Sequence, residues 1–226
     1  MKLSVIIPVY NEEKTILRLV ELVRAVPLEK EIIIVNDGST DSTRTLIENK
    51  FRTADGIRIL THEKNSGKGS AIRTGIQAAL NDAVIIQDAD LEYDPSDYVV
   101  LRKALESSSA NVVYGSRFLG KKQVTGAFHR FVNYFLTTLT NALYGSRLTD
   151  METCYKLFRR DTIQALNLTS RGFEVEVEIT AKTLKSGEKI VEVPISYKGR
   201  THHEGKKIGW RDGVKAVLAL VRFRFV

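Results

Sequence analysis

Two continuous apolar runs rich in β-branched residues open the chain, KLSVIIPVY over residues 2–10 and EIIIVND over 31–37. Runs of this kind, without polar alternation, predict strands buried on both faces of a parallel sheet. Between them, NEEKTILRLVELVRAV over 11–26 spaces Ile16, Leu19, Val20 and Val23 at helical intervals, with Asn11 as the expected N-cap. A third strand, GIRILTHE over 56–63, follows a helix over 39–51 whose Ser, Thr and Asp start is a capping pattern. SGKGSAIRTGIQAAL (66–80) reads as a further helix, and AVIIQD (83–88) and NVVYGS (111–116) as two further strands. Strands alternating with helices predict an α/β, doubly wound, mostly parallel central sheet flanked by helices.

The alternation breaks after Gly120. Residues 126–144 hold Phe128, Phe131, Val132, Phe135, Leu136, Leu139 and Leu143 in a wide apolar stripe, which suits either a helix packed on the sheet or one facing a membrane. The tail GWRDGVKAVLALVRFRFV predicts an amphipathic helix with Trp210, Val214, Val217, Leu218, Val221 and Phe225 on one face and Lys215 and Arg222 off it. Basic amphipathic helices lie readily in a lipid interface. The expected organisation is one catalytic-size domain over 1–208 and a C-terminal, interfacial helix over 209–226.

Charge sharpens this division. The net charge is +7, but residues 1–106 carry 14 basic and 17 acidic side chains, whereas 107–149 carry five basic and none acidic, and 198–226 carry eight and two. An acid-free stretch and a basic tail predict surfaces that meet something anionic, such as phosphate or lipid head groups. A lone cysteine, Cys154, and the lack of a signal-like N-terminus or a long uncharged apolar segment point to a cytoplasmic, peripherally membrane-associated protein.

In an open parallel sheet, ligands bind beyond the carboxyl ends of the strands. The residues there are polar: Tyr10, Asn11 and Glu12 after the first strand, Asp37 to Ser39 after the second, Asn65 to Gly69 after the third, and Asp88, Asp90 and Glu92 after the fourth. If the chain stays extended past Gln87, the last three alternate onto one face and form a cluster of carboxylate oxygens, a set that suits Mg²⁺ or Mn²⁺ completed by substrate phosphates. NSGKGSA offers backbone N–H groups, a helix start and the Lys68 ammonium as an anion cradle. Its spacing is not that of a P-loop, and no G-x-G-x-x-G follows the first strand, which argues against a nicotinamide cofactor.

VIIPVYNEE, VNDGSTDST, NSGKGSAIRTG and IQDADLEYDP, in this order, resemble the N-terminal half of inverting family 2 glycosyltransferases, which have the GT-A (nucleotide-diphospho-sugar transferase) fold. VVYGSRFLG, DMETCYKLFRR, GFEVEVEITAK, VPISYKGR and EGKKIGWRDG resemble the branch that makes dolichyl- or polyprenyl-phosphate mannose and glucose. The resemblance implies that Pro8, Tyr10, Glu12 and Asp37 hold the base and ribose of a nucleotide-diphosphate sugar. It implies that Asp88 and Asp90 are the D-x-D pair, with Asp90 in direct metal contact, and that Lys68 approaches the phosphates. Glu92 stands where the mannose-synthase branch often has Gln, which leaves its part as a metal ligand open. Lys206 and Lys207 resemble a loop that closes over the diphosphate, with Arg200 nearby.

A lipid-phosphate acceptor needs cations, and Arg117 and Arg130 lie in the segment without acids; a bidentate guanidinium suits phosphate, while a cap for Arg117 and a solvent-facing position for Arg130 are the structural alternatives. The expected reaction is in-line displacement at the anomeric carbon of a GDP-mannose or UDP-glucose type donor, with inversion. A phosphate acceptor is already anionic near neutral pH, its second pKa being about 6, and needs no strong base. A hydroxyl acceptor would need one, for which Asp150 is the candidate, unless it serves as a helix N-cap. The other expectations are a family 2 transferase acting on a glycan or other hydroxyl acceptor and, outside enzymes, a nucleotide or nucleic-acid binder. The binder leaves the acids at 88–92 unexplained, and the chain shows no basic patch interleaved with stacking aromatics.

Overall fold

The computed structural model describes residues 1–120, 123–124, 127–199 and 210–225. In chain order these form β1 (Leu3–Val9), α1 (Ile16–Ala25), β2 (Lys30–Asn36), α2 (Thr43–Phe51), β3 (Ile57–Thr61), α3 (Lys68–Ala78), β4 (Ala83–Ile86) and a 3-10 turn (Pro95–Asp97) leading into α4 (Tyr98–Ser107). Then follow β5 (Val112–Ser116), β6 (Gln123–Val124), α5 (Ala127–Tyr144), β7 (Lys156–Arg159), α6 (Arg160–Ala165), α7 (Val175–Lys185), β8 (Ile190–Pro194), β9 (Tyr197–Lys198) and α8 (Trp210–Phe225).

The main sheet has the order β3-β2-β1-β4-β7-β5-β8. Every residue of β1 and β4 is buried, as unalternating apolar runs require when helices cover both faces. Pairing is parallel throughout except at β7, which runs antiparallel to both β4 and β5. That inversion has a local consequence. Lys156 opens β7 opposite Tyr114 of β5, and Leu157 pairs with Ile85 of β4, so the segment entering β7 is delivered to the carboxyl edge of the sheet. There it meets Gln87 and Asp88 leaving β4 and Arg117 leaving β5.

One expected cap differs from the structure. Asn11 does not cap α1, which starts at Ile16; it adopts φ 53° and its amide bonds across to Thr40, accepting from the backbone N–H at 2.8 Å and donating to Oγ1 at 3.1 Å. Asparagine tolerates this left-handed conformation better than most residues, and here it ties the β1 loop to the β2 loop. At α2 the expected Ser, Thr and Asp start supplies its bond from Asp41, which stands just before the N-cap residue Ser42 and whose Oδ1 accepts from the Thr43 N–H at 2.9 Å.

A second core joins α5, α7 and α8 through Leu136, Leu148, Met151, Val177, Ala181, Ala216, Ala219, Leu220 and Phe223. The packed stripe of α8 is therefore 216/219/220/223. Most of the apolar face read from the sequence is on the opposite side: Val214, Leu218, Val221 and Phe225 point outward, Leu218 being 64% and Phe225 80% exposed. Phe131, Tyr134 and Phe135 of α5 are likewise exposed. Among the described residues no helix is long and apolar enough to cross a membrane.

The contact of α3 with β1 needs a missing side chain. A Cβ at Gly75 would collide with Cγ2 of Ile6. Gly75→Ala is expected to destabilise the fold by about 1–3 kcal/mol through overpacking, seen as a lower urea midpoint at unchanged m-value; an unchanged midpoint would show that α3 shifts freely on the sheet.

Candidate active site

The crevice at the carboxyl edge is built from loops that are already bonded to one another. Ser39 Oγ accepts from the Asn11 N–H at 3.1 Å and Thr43 Oγ1 from the Glu12 N–H at 2.9 Å, while Glu12 Oε2 accepts from the Thr15 hydroxyl at 3.0 Å. Pro8 is buried one residue before the end of β1, and Tyr10 stands half-buried at the rim. Asp37 is turned inward. Its Oδ1 accepts from the Ser66 N–H (2.9 Å) and lies 2.7 Å from His62 Nδ1, and its Oδ2 accepts from the Gly67 N–H (2.8 Å).

The anion cradle expected at NSGKGSA is therefore filled from within. The Ser66 and Gly67 amides are taken by the Asp37 carboxylate, and those of Gly69 and Ser70 by the Arg171 carbonyl. The fit of that second contact depends on glycine: Gly67 has φ 95°, and a Cβ there or at Gly69 would strike the carbonyls of residues 171 and 170. Nor is Lys68 mobile. Its Nζ is 2.7 Å from Asp88 Oδ1 and 3.1 Å from Glu176 Oε1, and Glu176 Oε2 accepts in turn from the fully buried Lys156 at 2.6 Å. Burial alone would lower the Lys68 ammonium and raise the Glu176 carboxyl. The two acids overcome this and hold Lys68 well above its ordinary value, and the two lysines hold Glu176 below its own.

Beneath this chain Gln87 is fully buried, its Oε1 accepting from the hydroxyls of Tyr98 (2.5 Å) and Tyr155 (2.7 Å) and its amide donating to the Asp88 carbonyl (3.0 Å). Asp88 thus leaves β4 from a fixed footing. The chain does not stay extended beyond it. It turns at Ala89 and Asp90, Leu91 takes φ 63°, and Glu92 Oε2 accepts from the Tyr197 hydroxyl at 2.5 Å. The expected gathering of Asp88, Asp90 and Glu92 on one face is corrected accordingly: among the described residues no three His, Cys, Asp or Glu side chains stand close enough to hold an ion. The donor set that remains, Asp88 and Asp90 on one turn with Asp88 oriented by Lys68, still fits Mg²⁺ or Mn²⁺. Such an ion is commonly held by one or two carboxylates plus substrate phosphates rather than by an all-protein cage.

On the other side of the crevice, Arg117 and Asp150 form one unit. The Arg117 Nε and Nη2 donate to the two oxygens of the fully buried Asp150 at 2.7 Å each, and the Arg117 backbone N–H adds a third bond at 3.0 Å. The guanidinium lies over the Tyr197 ring at 5.1 Å, and its Nη1 edge takes no hydrogen bond among the described residues. Asp150 is not an N-cap, since no helix starts there. Arg130 is exposed on α5, one turn before the buried Asn133 that accepts from Arg117 Nη2 at 3.4 Å. Lys206, Lys207 and Arg200 lie outside the described residues.

The sequence reading missed Lys156, Glu176 and Gln87. Glu176 and Glu178 alternate with apolar residues in a pattern that does not announce buried carboxylates, and only the absence of any other use for a Lys in the apolar run YKLF could have drawn attention to Lys156.

The model of glycosyl transferase family 2 matches residues 4–166. The chain belongs to that family. Its relatives include an undecaprenyl-phosphate mannosyltransferase of Micrococcus luteus, 31% identical over 232 residues that cover 99% of this chain and 94% of the other. A dolichyl-phosphate beta-glucosyltransferase of Trichomonas vaginalis is 29% identical over 237 residues, covering 97% and 72%. Among solved structures, glucosyl-3-phosphoglycerate synthase from Mycobacterium tuberculosis in complex with Mn²⁺, uridine diphosphate and phosphoglyceric acid superposes with a TM-score of 0.75 at 20% identity, over 100% of this chain and 79% of that one. The shared fold is GT-A, and this family 2 protein is a glycosyltransferase.

The Asp88–Lys68–Glu176–Lys156 chain predicts an acid-labile element of stability. Because the folded pKa of Glu176 is depressed, its contribution is fully present above the unfolded glutamate value of about 4.3 and is lost as pH falls through the folded value. Glu176→Gln should start less stable at pH 7 and lose less between pH 5 and 3 than the wild type in urea titrations. Parallel curves would show that Glu176 titrates alike in both states.

Proposed function

We propose that this family 2 glycosyltransferase moves a hexose from a nucleotide-diphosphate sugar of the UDP-glucose or GDP-mannose type to a polyprenyl or dolichyl phosphate at a membrane surface. The observation that carries the acceptor assignment is the Arg117–Asp150 unit. A hydroxyl acceptor needs a base, and the candidate for that duty, Asp150, is spent on two guanidinium bonds in a buried site. A phosphate acceptor arrives as an anion and needs a cation instead, which Arg117 supplies on its Nη1 edge. The names of the Micrococcus and Trichomonas relatives support the same acceptor class.

In this mechanism Pro8, Tyr10, Glu12 and the loop anchored by Asp37 line the base and ribose. Asp88 and Asp90 hold the divalent cation, as neighbours with Mn²⁺ or Mg²⁺ and uridine diphosphate support; when bound, the ion offsets the charge gathering on the diphosphate. Lys68 fixes the orientation of Asp88. Arg117 and Arg130 draw the acceptor phosphate to the opposite face of the sugar. One phosphate oxygen bonds to the anomeric carbon as the bond from that carbon to the diphosphate oxygen breaks, with both bonding electrons leaving on the diphosphate. Configuration inverts and no proton is transferred. Lys206, Lys207 and Arg200 are assigned to the departing diphosphate.

The lipid side rests on α5 and α8. On α8, Val214, Leu218, Val221 and Phe225 follow the i, i+4, i+7, i+11 spacing of one stripe, flanked by the exposed Lys215 and Arg222. On α5, Phe131 and Tyr134 are 67% and 71% exposed. Aromatic and aliphatic side chains rimmed by cations suit an anionic bilayer surface.

Incubation with Mn²⁺, polyprenyl phosphate and a panel of nucleotide sugars should yield a lipid-linked hexose with one donor, and Asp90→Ala should abolish it; a near-normal rate in that variant would remove the cation-binding role. Leu218→Gln with Phe225→Ser, which spares the packed face of α8, should weaken sedimentation with anionic liposomes at least tenfold while leaving the melting temperature unchanged. Equal liposome binding would rule out α8 as the contact.

A further inference from the structure

Glu152 lies in the segment entering β7, two residues after Asp150, and the fold makes no use of its carboxyl. Its Oε1 is buried without a hydrogen-bond partner, and no ion pair engages the group among the described residues. Burial pushes the carboxyl up; Lys156 and Arg117 pull it down, while Glu176 and Asp150 add to the rise. An unsatisfied buried polar oxygen destabilises a protein. A ligand that brings hydrogen-bond donors would satisfy it.

The chain on either side of Glu152 identifies its place: two residues before it Asp150 holds Arg117, and four residues after it Lys156 holds Glu176. Lys156 and Glu176 belong to the chain that reaches Asp88, on the diphosphate side of the crevice; Arg117 and Asp150 belong to the acceptor side. The chain carries Glu152 from the one pair to the other, and all four of those charges act on its carboxyl. A carboxyl at that point is unsuited to either phosphate, which it would repel or could meet only when protonated. What lies between two phosphates in a sugar transfer is the neutral, hydroxyl-rich ring, and the two oxygens of a carboxyl match a pair of neighbouring hydroxyls.

We propose that Glu152 binds hydroxyls of the donor hexose and thereby helps to set which hexose is accepted, an inference that rests on the nucleotide-sugar reading above. The contact exists only when the sugar is present. Removing it acts on the nucleotide sugar and not on the nucleoside diphosphate.

The test compares wild type, Glu152→Gln and Glu152→Ala by calorimetric binding of the nucleotide sugar, of the same nucleotide sugar in monodeoxy forms, and of the nucleoside diphosphate alone, all with Mn²⁺. Glu152→Ala should weaken binding of the nucleotide sugar roughly ten- to a hundredfold, in line with a lost hydrogen bond to a charged or buried group. It should leave the nucleoside diphosphate within twofold and lose its penalty for the deoxy sugar that lacks the contacted hydroxyl. Glu152→Gln, which keeps one acceptor and a neutral side chain, should retain most of the affinity, and neither variant should melt below the wild type. Equal weakening of nucleoside diphosphate and nucleotide sugar, a lowered melting temperature, or unchanged binding of the nucleotide sugar would each overturn the assignment. A wild-type protein that binds nucleoside diphosphate but no nucleotide sugar would overturn the donor reading itself, and the assignment with it.

Discussion

Four charges of alternating sign, Asp88, Lys68, Glu176 and Lys156, run end to end beneath the carboxyl edge of the sheet, and each comes from a different part of the fold: the end of β4, the start of α3, the start of α7 and the start of β7. Buried ion pairs add little net stability, because desolvation consumes most of the Coulomb gain, but removing one member leaves a stranded charge. Such a chain fixes geometry rather than strengthening the fold. It locks four elements into the one arrangement in which every charge has a neighbour. The carboxylate that leaves β4 is held in one orientation at the carboxyl edge of the sheet.

The same device recurs at other charged positions of the crevice. Asp37 is matched by two amides and His62, Arg117 by Asp150, and Glu92 by the Tyr197 hydroxyl. The polar groups are oriented before any ligand arrives, which reduces the ordering that binding must impose. Glu152 stands apart from that pattern, and the contrast is what makes it informative.

Much of the frame was legible in the sequence because burial on both faces leaves unbroken apolar runs, and β1, β2 and β4 carry them. The polar residues at the strand ends were legible as residue types. Their geometry was not. The turn after Asp88 depends on Leu91 in a left-handed conformation, which nothing about a leucine foretells, and it undoes the alternation that would have grouped three acids. Lys156 and Glu176 find each other across 20 residues and two intervening helix starts, so neither signals the other locally. On α8 the packed stripe is built from the small residues Ala216 and Ala219 with Leu220 and Phe223, whereas larger side chains lie outward. Hydrophobicity alone selects the wrong face when both are apolar.

The insertion of β7 between β4 and β5 also bears on how the protein is made. β4 can pair with β1 once both have emerged, but its other edge has no neighbour until the ribosome has delivered Lys156–Arg159. Until then a nascent chain carries Ala83–Ile86, four apolar residues, as an open strand edge of the kind that recruits foreign strands. Translation that stalls anywhere within α5 leaves this half-built sheet exposed, and chaperone capture of the nascent polypeptide is most valuable over that interval.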